Sequence, residues 1–250
     1  MAELVVVLVR TSGPVNLGLC ARVCANLGVD SLRLVAPECE VDQPDARKFA
    51  NHAKEALLRA PRFETLADAV RDCDFVAGTS AHRRQRGFIA PLGPGELART
   101  VQDFSRAAIV FGNEADGLGN SELRQCQATV HLPTFGDYSS FNLSHAVAVT
   151  LFALRTSERV SGAISKRPLQ EMKPRNDAEA KATQSELGEL CSAWLSTLER
   201  SGYFRLTDRD RFAPKLRAML GRFAPAKHDA GLLRGMLAHF DKRLQDNHDA

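Results

Sequence analysis

The chain has 250 residues, 44% hydrophobic and 25% charged, with a formal net charge of +3 and a pI near 8.6. This is the composition of an ordinary soluble globular chain with one sizeable core plus an appendage, and its mild basic bias permits a polyanionic partner without demanding one. The opening MAELVVVLVRTSG is too short for a membrane span and lacks the basic region of a signal peptide, so no membrane partner and a cytoplasmic location are expected.

In chain order, residues 4–9 (LVVVLV) are a continuous β-branched run of strand length, the kind buried on both faces of a parallel sheet. The loop RTSGPVNLG follows. LGLCARVCANLG then predicts a helix with Leu19, Val23 and Leu27 on its apolar stripe and Gly28 as its C-terminal stop. Residues 31–37 (SLRLVAP) form the second strand. Residues 46–60 (ARKFANHAKEALLRA) read as one helix with Phe49, Ala53 and Leu57 on one side. Thr65 and Asp68 make a capping-box pattern that opens a short helix, TLADAVRD, before the third strand, DFVAGTS. After the charged loop AHRRQRGF, PGELARTVQDF has Pro94 near a helix start and leads to the fourth strand, AAIVFG. A fifth strand, ATVHLP, and a helix over residues 141–158 complete the set. Such alternation predicts an α/β domain with a parallel sheet.

Composition changes after Arg159. SGAISKRPLQEMKPRNDAEAKATQ is polar, holds Pro168 and Pro174 and lacks an apolar period, which marks a linker. The expected organisation is therefore a first domain over 1–160, a linker over 161–182 and a small all-α extension over 183–250. Helical patterns at 186–201, 209–223 and 229–245 make up the extension, with Leu190, Trp194 and Leu198 on one stripe. Six scattered cysteines (Cys20, Cys24, Cys39, Cys73, Cys126 and Cys191) form no C-x-x-C pair and read as reduced, mostly core thiols.

Loops at strand ends are where such a domain keeps its chemistry. Asn16 lies near a helix start and Arg22 about two turns inside that helix; an Asn there is usually a cap and an Arg usually solvated. Thr79, Ser80 and Ala81 end the third strand, where they make either a simple turn or a ligand contact. Arg83, Arg84 and Arg86 suit phosphate oxygens, or form a solvated charge run. Gly112 offers close approach to the backbone, and Glu114 is either a helix N-terminal charge or a ligand contact. Ser139, Ser140 and Asn142 lead into an apolar helix, and capping explains only one of the three.

Several common sites are disfavoured. Gly112 and Gly117 have the spacing of part of a P-loop, but Leu118 stands where that motif requires lysine, and no G-x-G-x-x-G follows strand one. The seven histidines form no H-E-x-x-H or H-x-E pattern, and G-x-S-x-G does not occur. No metal, histidine base or serine nucleophile is expected.

Three blocks, PVNLGLCAR, VFGNEADGL and PTFGDYSSFNLSHAV, resemble in order and separation the three motifs of the SpoU branch of SPOUT RNA 2′-O-ribose methyltransferases. The tail segments LERSGYF, KLRAMLGR and LLRGMLAHF are similar to the helical C-terminal extension of TrmJ-type tRNA methyltransferases. This resemblance implies a SPOUT fold, a parallel α/β sheet threaded into a trefoil knot within about residues 112–155, and a homodimer with sites near its interface. It implies S-adenosylmethionine as methyl donor, in a pocket of Thr79, Ser80, Ala81, Gly112, Leu132, Ser139, Ser140 and Phe141. Asn16, Arg22, Glu114, Ser140 and Asn142 match the family's polar set, while Phe141 stands where leucine is frequent. The implied acceptor is tRNA, at the cytidine or uridine that opens the anticodon loop. An rRNA or another tRNA nucleotide is the alternative acceptor, and a noncatalytic RNA-binding protein the alternative class.

Methyl transfer to a ribose hydroxyl needs oxygen, carbon and sulfur in line, and stabilisation of the charge appearing on oxygen; no metal is required. The resemblance makes Arg22 the activating residue, with Ser140 and Asn142 positioning the hydroxyl. An arginine stays protonated at neutral pH, which favours stabilisation of a developing alkoxide over simple base catalysis, and the sequence leaves both open.

Overall fold

The computed structural model describes residues 2–29, 31–80, 91–160, 180–205 and 208–246. The expected linker, 161–182, lies almost wholly outside these. The chain divides into two compact units, Met1–Glu171 and Met172–Ala250.

The first unit begins with β1 (Glu3–Val9), α1 (Pro14–Asn26), β2 (Ser31–Val35), α2 (Pro44–Ala50), α3 (Lys54–Leu58), β3 (Arg62–Phe63), α4 (Leu66–Ala69) and β4 (Phe75–Ser80). It continues with β5 (Pro91–Leu92), α5 (Pro94–Thr100), β6 (Arg106–Phe111), α6 (Asn120–Leu123), β7 (Ala128–His131) and α7 (Leu143–Val160). All seven strands join one sheet in the order β3-β2-β1-β6-β4-β7-β5, and every pairing is parallel. The late strand β6 therefore lies between β1 and β4, with Val6 opposite Ile109 and Ala77 also opposite Ile109.

Burial follows the period-two alternation of a sheet covered on both faces. Val5, Val7 and Val9 pack with Val110, Val35, Leu66 and Val76 on one face. Val6, Leu8, Ile109 and Phe111, next in register, are equally buried and point to the other face. Fully burying each such side chain is worth about 1.5–3 kcal/mol, so the central strands hold much of the unit's stability.

Two expected elements differ in detail. The buried side of α1 is Leu17, Cys20, Ala21 and Cys24, while Leu19 and Val23 are only half-buried, because α1 packs close to α2: a Cβ on Gly18 would lie 2.3 Å from the Ala46 carbonyl oxygen. The expected helix over 46–60 is broken at Asn51, whose φ of 52° ends α2 and lets a short 3-10 turn redirect the chain into α3. Gly28, at φ 66°, stops α1 as expected. Thr65 accepts the Asp68 amide hydrogen at 3.2 Å, giving the expected cap on α4. The strands β3 and β5, two residues each, have no periodicity to announce them.

All six cysteines are free and five are buried. Burial pushes the thiols of Cys24, Cys73 and Cys126 up to about 12, which keeps them neutral packing groups. A charged network holds the end of the sheet where β1 and β6 begin. Asp72 accepts from Arg33 at 2.5 and 2.8 Å and from Arg106 at 2.7 Å, and Arg106 also reaches Glu3. The hydrogen bonds from Arg33 hold the Asp72 carboxyl down to about 2.

The second unit contains α8 (Gln184–Arg200), α9 (Arg209–Phe223) and α10 (Lys227–Asp246). Thr183 and Glu186 form a capping box at the start of α8, and Asp208 caps α9. Leu190, Leu195, Leu216, Leu220 and Ala230 are its buried centre, with Trp194, Phe212 and Leu237 packed against them. No described helix is long and apolar enough to cross a membrane.

Candidate active site

The C-terminal ends of β4, β6 and β7 open onto one cavity of about 340 Å³, the place where a parallel sheet of this kind exposes its loops. From β4 come Thr79 and Ser80; from β6 come Phe111 and then Gly112 to Leu118; after β7 come Leu132, Ser139, Ser140 and Phe141. The walls combine flat apolar surface, from Phe111, Leu118, Leu132 and Phe141, with the hydroxyls of Thr79, Ser80, Ser139 and Ser140. Thr79 donates to the Val110 carbonyl at 3.1 Å, which ties β4 to β6 at the rim.

Loop 112–118 doubles back on itself. The Gly117 amide donates to the Asn113 carbonyl at 2.9 Å, and a Cβ on Gly112 would lie 2.1 Å from the Gly117 carbonyl carbon. Gly112 thus lines the cavity, and the chain's own loop requires a glycine there. Arg10, at φ 51° directly after β1, holds this loop from below. Its guanidinium pairs with Glu122 and donates to the Gly117 carbonyl at 3.2 Å, and its own carbonyl accepts from Asn113 at 2.6 Å. Sequence patterns do not single out Arg10, Asn113 or Glu122. The signals present are a charged residue closing an apolar strand and a Glu at the third position of the short helix α6, where its carboxylate accepts from the Gly119 amide at 2.5 Å.

Glu114 sits where three loops meet. Its two carboxylate oxygens accept from the Ser12 amide, the Ser12 hydroxyl, the Gly13 amide and the Asn16 side-chain amide, each at 3.1 Å. Gly13 is the N-cap of α1 and Pro14 opens the helix, so Glu114 supplies from another loop the negative charge that a helix start favours. Burial pushes its carboxyl up, but the hydrogen bonds from Ser12, Asn16 and Gly13 outweigh it and hold the group below the ordinary glutamate range. Asn16 passes the linkage on: its side-chain oxygen accepts from Asn142 Nδ2 at 3.0 Å. Asn142 in turn is the cap of α7, its Oδ1 accepting from the Ser144 amide at 2.9 Å and the Ser144 hydroxyl at 2.8 Å. Of the three polar residues before α7, capping accounts for Asn142, and Ser139 and Ser140 face the cavity.

The structure therefore brings Thr79, Ser80, Gly112, Glu114, Leu132, Ser139, Ser140 and Phe141 to one cavity, and joins Asn16 and Asn142 to Glu114 by hydrogen bonds. Arg22 is exposed on α1 and is not among the residues lining the cavity. Ala81, with Arg83, Arg84 and Arg86, lies outside the described residues.

Residues 3–152 match the sequence model of the SpoU rRNA Methylase family, and residues 185–249 match that of the tRNA methyltransferase TrmJ, C-terminal domain. The chain is 36% identical over 251 residues to the tRNA (cytidine/uridine/adenosine-2′-O-)-methyltransferase TrmJ of Pseudomonas aeruginosa, covering 95% of this chain and 93% of that protein. It is 30% identical over 240 residues to the tRNA (cytidine/uridine-2′-O-)-methyltransferase TrmJ of Pectobacterium atrosepticum, covering 95% and 96%. Among solved structures, TrmJ from Z. mobilis ZM4 superposes with a TM-score of 0.76 at 30% identity, covering 96% of this chain and all of that one. With its parallel sheet, its loop cavity and a match over residues 3–152, the chain belongs to the SpoU methylase family.

Proposed function

We propose that this protein is an S-adenosylmethionine-dependent RNA 2′-O-ribose methyltransferase that acts on tRNA, at the cytidine or uridine opening the anticodon loop. The observation that carries the reading is the Glu114–Asn16–Asn142 linkage, which joins three sequence blocks lying up to 126 positions apart and meets the cavity at Glu114. The similarity to TrmJ proteins named for transfer to cytidine and uridine of tRNA supports the acceptor.

The cavity fits the donor chemically. Its volume is in the range of small-molecule sites, its apolar walls suit an adenine ring, and its hydroxyls and loop backbone suit a ribose and an amino-acid head. When bound, S-adenosylmethionine supplies an electrophilic methyl group on a sulfonium. Asn142 Nδ2 carries two hydrogens, and Asn16 takes one; the second is proposed to orient the acceptor hydroxyl together with Ser140. Glu114 is a positioning residue, since it fixes Asn16 and the start of α1. Arg22 is proposed to meet the RNA, holding the phosphate beside the acceptor ribose and stabilising negative charge on the attacking oxygen.

A homodimer belongs to the same proposal. Val149 and Phe152, on one face of α7, are 40% and 62% exposed, and α1, packed beside α7, leaves Leu19 and Val23 half-buried. The trefoil knot over residues 112–155 and the division into 1–160, linker and 183–250 complete it. The exposed Arg211, Lys215, Arg217 and Arg222 on α9 are proposed to bind tRNA phosphates.

The test is transfer of tritiated methyl groups to unmodified tRNA and rRNA, followed by mapping of the modified nucleotide. Label on a 2′-oxygen in the anticodon loop is expected; label only on rRNA, or on a base, overturns the assignment.

A further inference from the structure

The segment from Leu132 to Phe141 enters the cavity at both ends, yet its middle turns away from the protein. Phe135 is 97% exposed and Tyr138 is 86% exposed, the two largest exposures among the big apolar side chains described. They flank a bend at Gly136 and Asp137, and neither ring touches another aromatic ring among the described residues. Ser139, Ser140 and Phe141, the next three residues, line the cavity itself. Two flat apolar faces held in water at the mouth of a site cost hydration free energy, and neither contributes to the core.

We propose that Phe135 and Tyr138 are a stacking platform for unpaired nucleobases that adjoin the acceptor ribose. A ribose inside a stacked helix keeps its neighbours' bases paired, whereas single-stranded loops offer splayed bases whose faces stack on aromatic side chains. The reach of a base from its own ribose is short, so a platform continuous with Ser139 and Ser140 meets the base of the acceptor nucleotide or its immediate neighbour. Stacking tolerates different bases because each has a flat π face, so this contact supplies affinity and placement, with hydrogen bonds elsewhere left to choose the base. The inference rests on the proposed RNA substrate and adds to it two substrate-binding residues outside the shared polar set.

The full chain, with Phe135→Ala, Phe135→Leu, Phe135→Trp, Tyr138→Ala and Tyr138→Phe, tests this through KM and kcat for unmodified tRNA and Kd for S-adenosylmethionine. Each alanine variant is expected to raise KM for tRNA about 5- to 150-fold, the range for removing one base stack, with donor Kd within about twofold. Phe135→Trp and Tyr138→Phe should stay near wild type, while Phe135→Leu, as apolar but without a π face, should behave like alanine. A leucine variant equal to wild type, or alanine variants that leave KM for tRNA unchanged, overturns the platform. Binding of an anticodon stem-loop RNA carrying 2-aminopurine in its loop separates this from the function itself. Quenching by wild type, abolished in the alanine variants, sustains the platform even where no methyl group is transferred; transfer at full rate with quenching unaffected by either alanine change rejects the platform and leaves the enzyme assignment standing.

Discussion

Replacing Glu114 by Gln is the most direct probe of the linkage that assembles the site. In the wild type one carboxylate oxygen takes both the Ser12 amide and hydroxyl hydrogens, and the other takes the Gly13 amide and Asn16 side-chain hydrogens. A carboxamide keeps one oxygen and sets an NH2 group against the second pair of donors, so two charge-assisted bonds go. Hydrogen bonds to charged groups contribute about 1.5–3 kcal/mol each, but Glu114 is only partly buried and water replaces some of the loss, which brings the expected cost to about 2–3 kcal/mol. For a unit of this size that is a fall of roughly 4–12 °C in the midpoint of its thermal transition. The pH dependence has a definite sign. Because the folded carboxyl titrates below its ordinary value of 4.5, its stabilisation is fully present above that value and is lost as pH falls through the lower folded one. The gap between wild type and variant should therefore be widest at neutral pH and close in acid. Calorimetry at neutral and acid pH, with hydrogen exchange at the Ser12 and Gly13 amides, measures both parts. An unchanged midpoint at neutral pH, or a gap that persists undiminished in acid, refutes the reasoning.

Gly112→Ala should displace loop 112–118, because its Cβ would overlap the Gly117 carbonyl; loss of S-adenosylmethionine binding in titration calorimetry is expected together with a lower thermal midpoint. A variant that binds the donor normally shows that the loop repacks without consequence for the cavity. Arg22→Ala should lower methyl transfer about 100- to 1000-fold while donor affinity stays near wild type, since Arg22 lies outside the cavity; near-normal turnover removes it from the mechanism. A chain ended at Ser165 should still bind the donor but hold tRNA more weakly, with a shallower dependence on salt than the full chain, by roughly 0.7–0.9 log units per log salt for each phosphate that the helical unit neutralises. Equal affinity and slope return the helical unit to a structural role.

The frame of the fold was legible because β1, rich in valine, and β6 are apolar runs long enough to declare buried parallel strands, and because loops between them carry glycine and polar residues in a set order. The stripe of α1 was not: Leu19 and Val23 look like the core side by hydropathy, but close packing around Gly18 selects the smaller Cys20, Ala21 and Cys24. Hydropathy ranks transfer to oil, and a tight helix contact also ranks size. Asn51 breaks a helix that looks continuous: at φ 52° and ψ −119° it stands outside the left-handed region that Asn readily adopts, a strained conformation its neighbours in sequence do not announce. In the site, residue types could be read but not partners. By sequence Glu114 is undecided between a helix charge and a ligand contact, and the N-cap of the helix it serves, Gly13, lies 101 positions earlier. No local pattern can report a bond of that span.

The position of β6 has a consequence for how the protein is made. β1, β2, β3 and β4 leave the ribosome before it, yet β6 must lie between β1 and β4, so the sheet cannot be laid down by adding each strand to the edge of the last. At about 5–20 residues per second, the roughly hundred residues between β1 and β6 take of order 5–20 s to appear. Through that interval β1 has an unpaired edge, the Ser12 and Gly13 amides wait for Glu114, and the apolar faces of the first four strands lack their central partner. The nascent chain is thus exposed to edge-to-edge association for seconds, and folding of the unit is deferred until β6 is out, a burden that falls on synthesis and not on the finished enzyme.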